Sequence, residues 1–535
     1  MISSRFLTLF ATALLSLASS ITGADPSARF GNLLALVEQV RAPEYCGRLD
    51  KPIGTVSLAG SNRKTRFVHP AEEAFSFREL QRDLDLLREP GGASSQSTAC
   101  GEEGKKEFVA LVANYWYLWY RDLADESPDE FATAEDYLYA ITAPLAGRDG
   151  RDGYRFSYLT TQQEDDARGS TGAYVGFGFS FDLDFANRFL FSDVFQCGPA
   201  GDAGFARGDE VLAIDTGAGY ETIAQLAARS ATNLEVFGAG ELGVERGFRV
   251  RRGSVVSEVT LVKRVLDTPP LAVEPLLIER VGNSPVGYLN LRAFIKTANA
   301  ALDEAVLFFR EAGVTDLVID FRYNGGGSLD VADRMLDLLG ALAAPPGEDS
   351  WLITHNDKRR DENSGAVFAE LYNSMQPLRI AFITTNGTAS ASELVINSLA
   401  PWIEVALIGE DTLGKAVGQY AFDQDRVSAE WANCDARLRL VTFEIVNGEG
   451  QGEYYNGLEA TKRFTLCPAE DDISRGFGDP EEASLAAALG WLNNEGTCIS
   501  NTAQISDRGI KAAEGVRWQL SEMPPAPFGL SPWVQ

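Results

Sequence analysis

Ser390 and Lys415 are the two side chains of this sequence best placed to do chemistry together. The serine lies in Asn386-Gly387-Thr388-Ala389-Ser390-Ala391-Ser392-Glu393, which reads as the end of a strand, a turn and the start of a helix. The lysine lies 25 positions on, in Gly409-Glu410-Asp411-Thr412-Leu413-Gly414-Lys415, after a second apolar strand. A side chain at a helix N-terminus faces unpaired N–H groups and a partial positive charge, which favour an alkoxide and an oxyanion. The same position also suits an ordinary capping serine. A free lysine, with a pKa of about 10.4, is a poor base at neutral pH, but burial disfavours its ammonium form. A fall of about three pH units corresponds to roughly 4 kcal/mol, which buried lysines reach. Val405-Ala406-Leu407-Ile408 and Leu413-Gly414 would supply such apolar surroundings. Histidine is scarce: His69 precedes Pro70, and His355 is expected in a loop beside Lys358, Arg359 and Arg360. A Ser–His–Asp triad therefore has few candidate bases, a multi-histidine metal site has none, and no cofactor is expected.

Apolar strands ending in glycine-rich turns must position such a pair. Thr315 to Phe321 is a nearly all-apolar buried strand that runs into Arg322-Tyr323-Asn324-Gly325-Gly326-Gly327, and Ser328 is expected to cap a helix through Leu339. Val286 to Phe294, Leu378 to Thr385 and Glu404 to Ile408 are further strands. Helices are expected from Ala298 to Ala312, ended by Gly313, and from Ser390 to about Leu399. Strand, turn and helix in repetition argue for stacked ββα or βαβ units. Leu438 to Val446 is strand-like, and Glu481 to Trp491 is a closing helix. Upstream, residues 75–89 and the aromatic run Tyr115 to Tyr120 predict a helical cap without chemistry of its own. Residues 172–265 change to short strands and glycine turns. Gly238-Ala239-Gly240-Glu241-Leu242-Gly243 matches a dinucleotide-binding pattern but lacks the helix and acidic residue that such a site needs.

The 535 residues suggest several domains, and 47 basic against 76 acidic side chains leave a net charge of −29, which repels nucleic acid. Arg5, the apolar run Phe6 to Ala18 and the small residues up to Ala24 describe a secretory signal peptide, too short to span a bilayer. The mature protein is expected to be exported, periplasmic or extracellular, with no membrane span. Cys46, Cys100, Cys197, Cys434, Cys467 and Cys498 suit an oxidising compartment. Sequence leaves their pairing open, with Cys434–Cys467 a first guess across one strand-rich segment.

Two resemblances organise these features. Val175-Gly176-Phe177-Gly178-Phe179, the turn Arg207-Gly208-Asp209 and the strands up to Lys263 resemble a PDZ domain of bacterial proteases. That resemblance implies that Gly176, Phe177, Gly178 and Phe179 present backbone N–H groups to a peptide's terminal carboxylate while the peptide adds a strand. The segments around Ser390 and Lys415, together with Asp320-Phe321-Arg322-Tyr323-Asn324-Gly325-Gly326-Gly327, resemble the carboxyl-terminal processing peptidases, or tail-specific proteases. The family pattern implies Ser390 as nucleophile, Lys415 as general base and Gln419 as the residue that orients the lysine. It implies the amides of Gly326 and Ala391 as the oxyanion hole, with Ser392 and Glu393 in support. The sequence departs from that pattern at Gly325 and Asp411, where proline, or proline and asparagine, are common. The architecture implied is α/β and multidomain: signal peptide 1–24, helical domain 25–170, PDZ-like β domain 171–268, crotonase-like ββα peptidase core 269–500, and tail 501–535. The function implied is a serine endopeptidase acting on polypeptides through their C-terminal tails. A crotonase-like acyl-transfer enzyme and an inactive PDZ adaptor are the alternatives.

Overall fold

The computed structural model describes residues 99–151, 154–183, 188–280, 283–494 and 496–498, all within one compact unit of the chain. The signal peptide, the helix expected at 75–89, His69, Cys46 and the tail from 501 lie outside the described residues.

The first described helices are α1 (Glu102–Trp116) and α2 (Ala134–Thr142), followed by strand β1 (Tyr158–Thr161). Thr133 caps α2 by accepting from the Asp136 amide, as a threonine before an acidic first turn should. A small β unit follows: β2 (Tyr174–Gly176), β3 (Phe179–Leu183), β4 (Phe189–Val194), β5 (Glu210–Asp215), helices α3 (Ile223–Ala228) and α4 (Asn233–Phe237), β6 (Glu245–Arg252), β7 (Val255–Val262) and β8 (Arg264–Leu266). Its antiparallel sheet runs β7-β6-β5-β4-β3, while β2 pairs with β8. Phe179, Phe181, Phe191, Phe237 and Phe248 fill its core. The G-x-G-x-x-G segment closes α4 and leads into β6, with no helix opening at Gly243.

The remaining elements are β9 (Leu276–Ile278), β10 (Val286–Asn290), α5 (Ala298–Glu311), β11 (Asp316–Asp320), α6 (Leu329–Gly340), β12 (Asp349–His355), β13 (Ser364–Val367), β14 (Arg379–Thr384), α7 (Ala391–Leu399), β15 (Glu404–Gly409), β16 (Val417–Asp423), β17 (Ala436–Asn447), β18 (Thr465–Pro468) and α8 (Ala483–Asn493). A six-stranded sheet runs β9-β10-β11-β14-β15-β18, parallel except for β9. Both of its faces are covered, which is why the middles of its strands are apolar. Leu317, Ile319, Ile380, Phe382 and Leu407 face α5, α6 and α7, whereas Val318, Ala381, Ile383, Ala406 and Ile408 face α8. Ser328 precedes α6 without a side-chain cap bond, so the expected cap is absent there.

A second, antiparallel sheet runs β13-β12-β17-β16, with β1 added to β17. Ala416, Phe443 and Ile445 join its inner face to the α6–α7 core. Val417, Phe422, Leu438, Leu440 and Val441 pack on its other face against Phe108, Val112 and Trp116 of α1 and Leu138 and Ile141 of α2. The N-terminal helices are thus a layer on the sheet that follows Lys415, not a separate cap. Among the described residues no helix is long and apolar enough to cross a membrane.

The disulfides correct the guess of Cys434 with Cys467. Cys434 instead bonds Cys100 at the start of the α1 layer, and Cys467 bonds Cys498. The first guess rested on both cysteines flanking one strand-rich segment, whereas Cys100–Cys434 spans 334 positions and ties that segment to the α1 layer. Replacing both Cys100 and Cys434 by serine should lower stability by about 2–4 kcal/mol, read as a fall in thermal midpoint against the wild type.

Candidate active site

Ser390 stands between β14 and α7 with φ +57° and ψ −115°, a conformation that costs a non-glycine residue about 1–3 kcal/mol. Bonds on every side hold it there. Its N–H donates to Glu393 Oε2 at 2.9 Å; the flanking Ala389 N–H and Ser392 hydroxyl both donate to Asn324 O, at 3.1 and 2.9 Å. Thr388 Oγ1 donates to Phe321 O at 2.9 Å. The glycine turn after β11 therefore docks directly under the serine. A Cβ on Gly326 (φ +103°) would lie 2.7 Å from Ser390 Cβ and 2.8 Å from the Ala391 nitrogen, so only glycine fits. This approach brings Gly326, Ser390 and Ala391 together.

Ala391 opens α7, where an amide has no carbonyl one turn back to bond. The Gly326 amide is different: it donates to Asn324 Oδ1 at 3.0 Å, and Asn324 is wholly buried. One of the two expected oxyanion donors is therefore engaged by a side chain within its own turn.

Lys415 is 2% exposed, and its amine is held well below the ordinary lysine range. Burial is the main cause; the Asp149 carboxylate opposes it, the Arg439 guanidinium adds to it, and Glu393 opposes it again. Nζ donates to Gln419 Oε1 at 2.9 Å and lies 5.0 Å from the centre of the Phe156 ring. Gln419 Nε2 in turn donates to Phe156 O. The β16–β17 pairing shifts register between Gly418 and Gln419, and a bulge of this kind re-aims a side chain. Gly414 (φ +97°) lets the lysine loop pass close to the Tyr455 carbonyl.

Glu393 joins the two halves. Its Oε2 accepts from the Ser390 and Lys415 amides at 2.9 and 2.8 Å, and its Oε1 accepts from Gly414 N at 2.7 Å. The carboxyl is fully buried, and burial raises its pKa to about 7 against the pull of those donors and of Thr412. One carboxyl thus fixes the backbone of both Ser390 and Lys415. The sequence carries a signal for half of this role, since Ser390-x-x-Glu393 is a capping-box pattern. Phe156 and Asp149 lie over 230 positions from the serine and carried no comparable signal.

His355 ends strand β12 instead of lying in a loop. It is buried among Trp116, Tyr420 and Phe443, with Nε2 3.0 Å from the Tyr420 hydroxyl. Burial lowers its pKa to about 4, so it is neutral at physiological pH.

Gly176, Phe177, Gly178 and Phe179 belong to the small β unit. Gly176 pairs with Arg264, Gly178 takes φ +82° where a Cβ would meet Gly198, and both phenylalanine side chains are buried in the aromatic core. The Phe177 carbonyl accepts from Ala200 N, and the Gly178 carbonyl accepts from Phe195 N. The unit also reaches the glycine turn. Arg207 pairs with Asp471 and donates to the Tyr323 hydroxyl at 3.1 Å; Arg322 pairs with Asp320, Asp471 and Glu482 at 3.0, 2.6 and 2.9 Å. Burial works against the Asp471 carboxylate, but Arg207 and Arg322 hold its pKa below the usual range.

Residues 285–460 match the model of peptidase family S41, and residues 105–158 match the S41 N-terminal domain. The chain is 29% identical over 233 residues, 42% of its length and 49% of the relative's, to a carboxyl-terminal-processing protease of Synechocystis sp.. It is 29% identical over 277 residues, 48% of each chain, to carboxyl-terminal-processing peptidase 2, chloroplastic, of Arabidopsis thaliana. The chain spans about half the length of these curated relatives. In three dimensions it is similar to a crystal structure assigned as an S41 protease from Bacteroides fragilis, with a TM-score of 0.57, 25% identity, and coverage of 76% of this chain and 100% of that one. Two segments of the chain thus match the models of peptidase family S41, and its curated relatives include carboxyl-terminal processing peptidases.

Proposed function

We propose that this protein is an exported serine endopeptidase that cleaves polypeptides by a Ser/Lys mechanism. The observation that carries the proposal is the buried Lys415 amine, held by Gln419 and tied through Glu393 to the backbone of Ser390. A lysine whose ammonium form is disfavoured by burial can take the Ser390 proton as the hydroxyl attacks the scissile carbonyl, then return it to the departing amine. A water molecule completes the cycle: Lys415 removes its proton, the acyl–Ser390 ester is hydrolysed, and the serine regains its hydrogen. The Ala391 amide receives the oxyanion, and the Gly326 amide joins it when Asn324 Oδ1 gives up its bond. No metal is required for any step.

The small β unit supports a PDZ-like reading. Its edge strand β3 follows directly on the Gly-Phe-Gly-Phe segment, so an extended C-terminal tail can add to the sheet there. The strand–helix–strand core suits the crotonase-like architecture, and the Arg207–Asp471–Arg322 network gives tail binding a route to the Gly326 turn. Mature protein should cleave unfolded casein and take up a fluorophosphonate on Ser390. A substrate with a free C-terminal carboxylate should be cleaved faster than its C-terminal amide. Acyl-CoA hydrolysis without proteolysis, or no labelling of Ser390, would overturn the proposal.

A further inference from the structure

Asp149 is a buried carboxyl outside the Ser390 turn, wholly enclosed in the α1–α2 layer. Its two oxygens have separate tasks. Oδ1 accepts from the Ser157 N–H at 2.8 Å, and Oδ2 accepts from the Tyr117 hydroxyl at 2.9 Å. Its own carbonyl accepts from the Phe156 N–H at 3.2 Å. These bonds close the base of the short hairpin formed by Gly150–Arg151 and Tyr154–Arg155. The hairpin's exit then reaches the active site twice. Phe156 gives its carbonyl to Gln419 Nε2 and its ring to the face of Lys415, while Ser157 Oγ accepts from Val441 N, opposite Gln419 on β17.

We propose that Asp149 is a positioning residue for the Lys415 base: its carboxylate holds the Ser157 amide, next in the chain to Phe156, so that the Phe156 carbonyl and ring hold the Gln419–Lys415 pair. The inference rests on the peptidase reading given above. Beside this geometry, the Asp149 charge acts on Lys415 directly. The charged groups around Lys415 are Asp149 from this hairpin layer, Glu393 from α7 and Arg439 from β17; those around Asp149 are Tyr117, Tyr139 and Arg155. Burial raises the Asp149 pKa to about 6, with Ser157, Tyr117 and Arg155 opposing, so it is mostly ionised at neutral pH. There it favours the ammonium form of Lys415 and tempers the effect of burial, keeping the amine basic enough to accept a proton.

Asp149→Asn keeps an oxygen for the Ser157 amide and removes the charge; Asp149→Ala removes both. With the charge gone, Lys415 loses its proton more readily, so the acid limb of the kcat/KM profile should move to lower pH by about one unit in Asp149→Asn. Asp149→Ala should lose about 10–100-fold in kcat with little change in KM, and Asp149→Asn should recover part of that loss. A purely structural carboxyl would not move the limb, so coincident profiles for Asp149→Asn and the wild type would overturn the inference. The same titration can be followed without proteolysis, by the pH dependence of Lys415 carbamylation with cyanate in Ser390→Ala and in Ser390→Ala/Asp149→Asn, read by peptide mass. A shift there, with no proteolysis by the wild type, would overturn the peptidase reading and support the role of Asp149. Proteolysis by the wild type with no shift in either titration would do the reverse.

Discussion

Lys415→Ala should abolish casein cleavage as completely as Ser390→Ala, with each lowering kcat/KM by about 10⁴-fold or more. The two residues act as a unit, so the double variant should be no slower than either single one. Without the lysine, Ser390 keeps its helix N-terminus and its strained turn but has no acceptor for its proton. Lys415→Arg should not rescue activity, because a guanidinium stays protonated at any working pH. The wild-type rate should rise with pH along an acid limb that reports the release of the Lys415 proton. Since burial pushes that proton off well below the ordinary lysine range, the limb should lie far below pH 10. Appreciable cleavage by Lys415→Ala, measured by peptide release from casein, would remove the lysine from the mechanism.

Glu393→Ala should be the most damaging change outside the reacting pair. It strips acceptors from three buried amides, those of Ser390, Gly414 and Lys415, and each buried donor left unpaired costs about 1–3 kcal/mol. Some of that is offset because a buried carboxyl no longer has to be accommodated, so a net loss of roughly 3–5 kcal/mol is expected together with loss of activity. Glu393→Gln separates charge from packing. Folded Glu393 keeps its proton up to about pH 7, whereas a free glutamate releases it near 4.5. Between those values the folded state binds the extra proton, so this residue's contribution to stability is greatest at low pH and declines as the pH rises from about 4.5 to 7. The decline corresponds to roughly 3 kcal/mol. The glutamine variant should lack it, so wild-type and Glu393→Gln denaturation midpoints should change relative to each other across that window. A constant difference from pH 4.5 to 8 would mean that the carboxyl does not titrate there.

Much of the core can be read directly from the chain because its signals are local. A run such as Thr315 to Phe321 is apolar through its middle, Leu317 to Ile319, and a strand covered on both faces calls for that. Glycines at 326 and 327 mark a turn too tight for a side chain, and Ser390-x-x-Glu393 marks a helix start. The helix over Ala298–Glu311, ended by Gly313, was legible for the same reason. His355 was misplaced because a strand's last residue and a loop's first have similar local sequence.

What belonged to the tertiary structure alone is which groups meet, above all between segments far apart in the chain. The sequence by itself pointed to which residues could react: a serine at a helix start and a lysine in an apolar loop, with no histidine near either in the chain. It could not determine that the Gly326 amide would turn to Asn324, that Cys434 would bond Cys100, or that a hairpin near residue 150 would shape the surroundings of Lys415. The last two depend on the packing of α1 and α2 onto β16 and β17, and the first on the burial of Asn324 beneath the Ser390 turn. Side-chain identity encodes the chemistry of a base, but its pKa depends on what surrounds it, and only folding decides that.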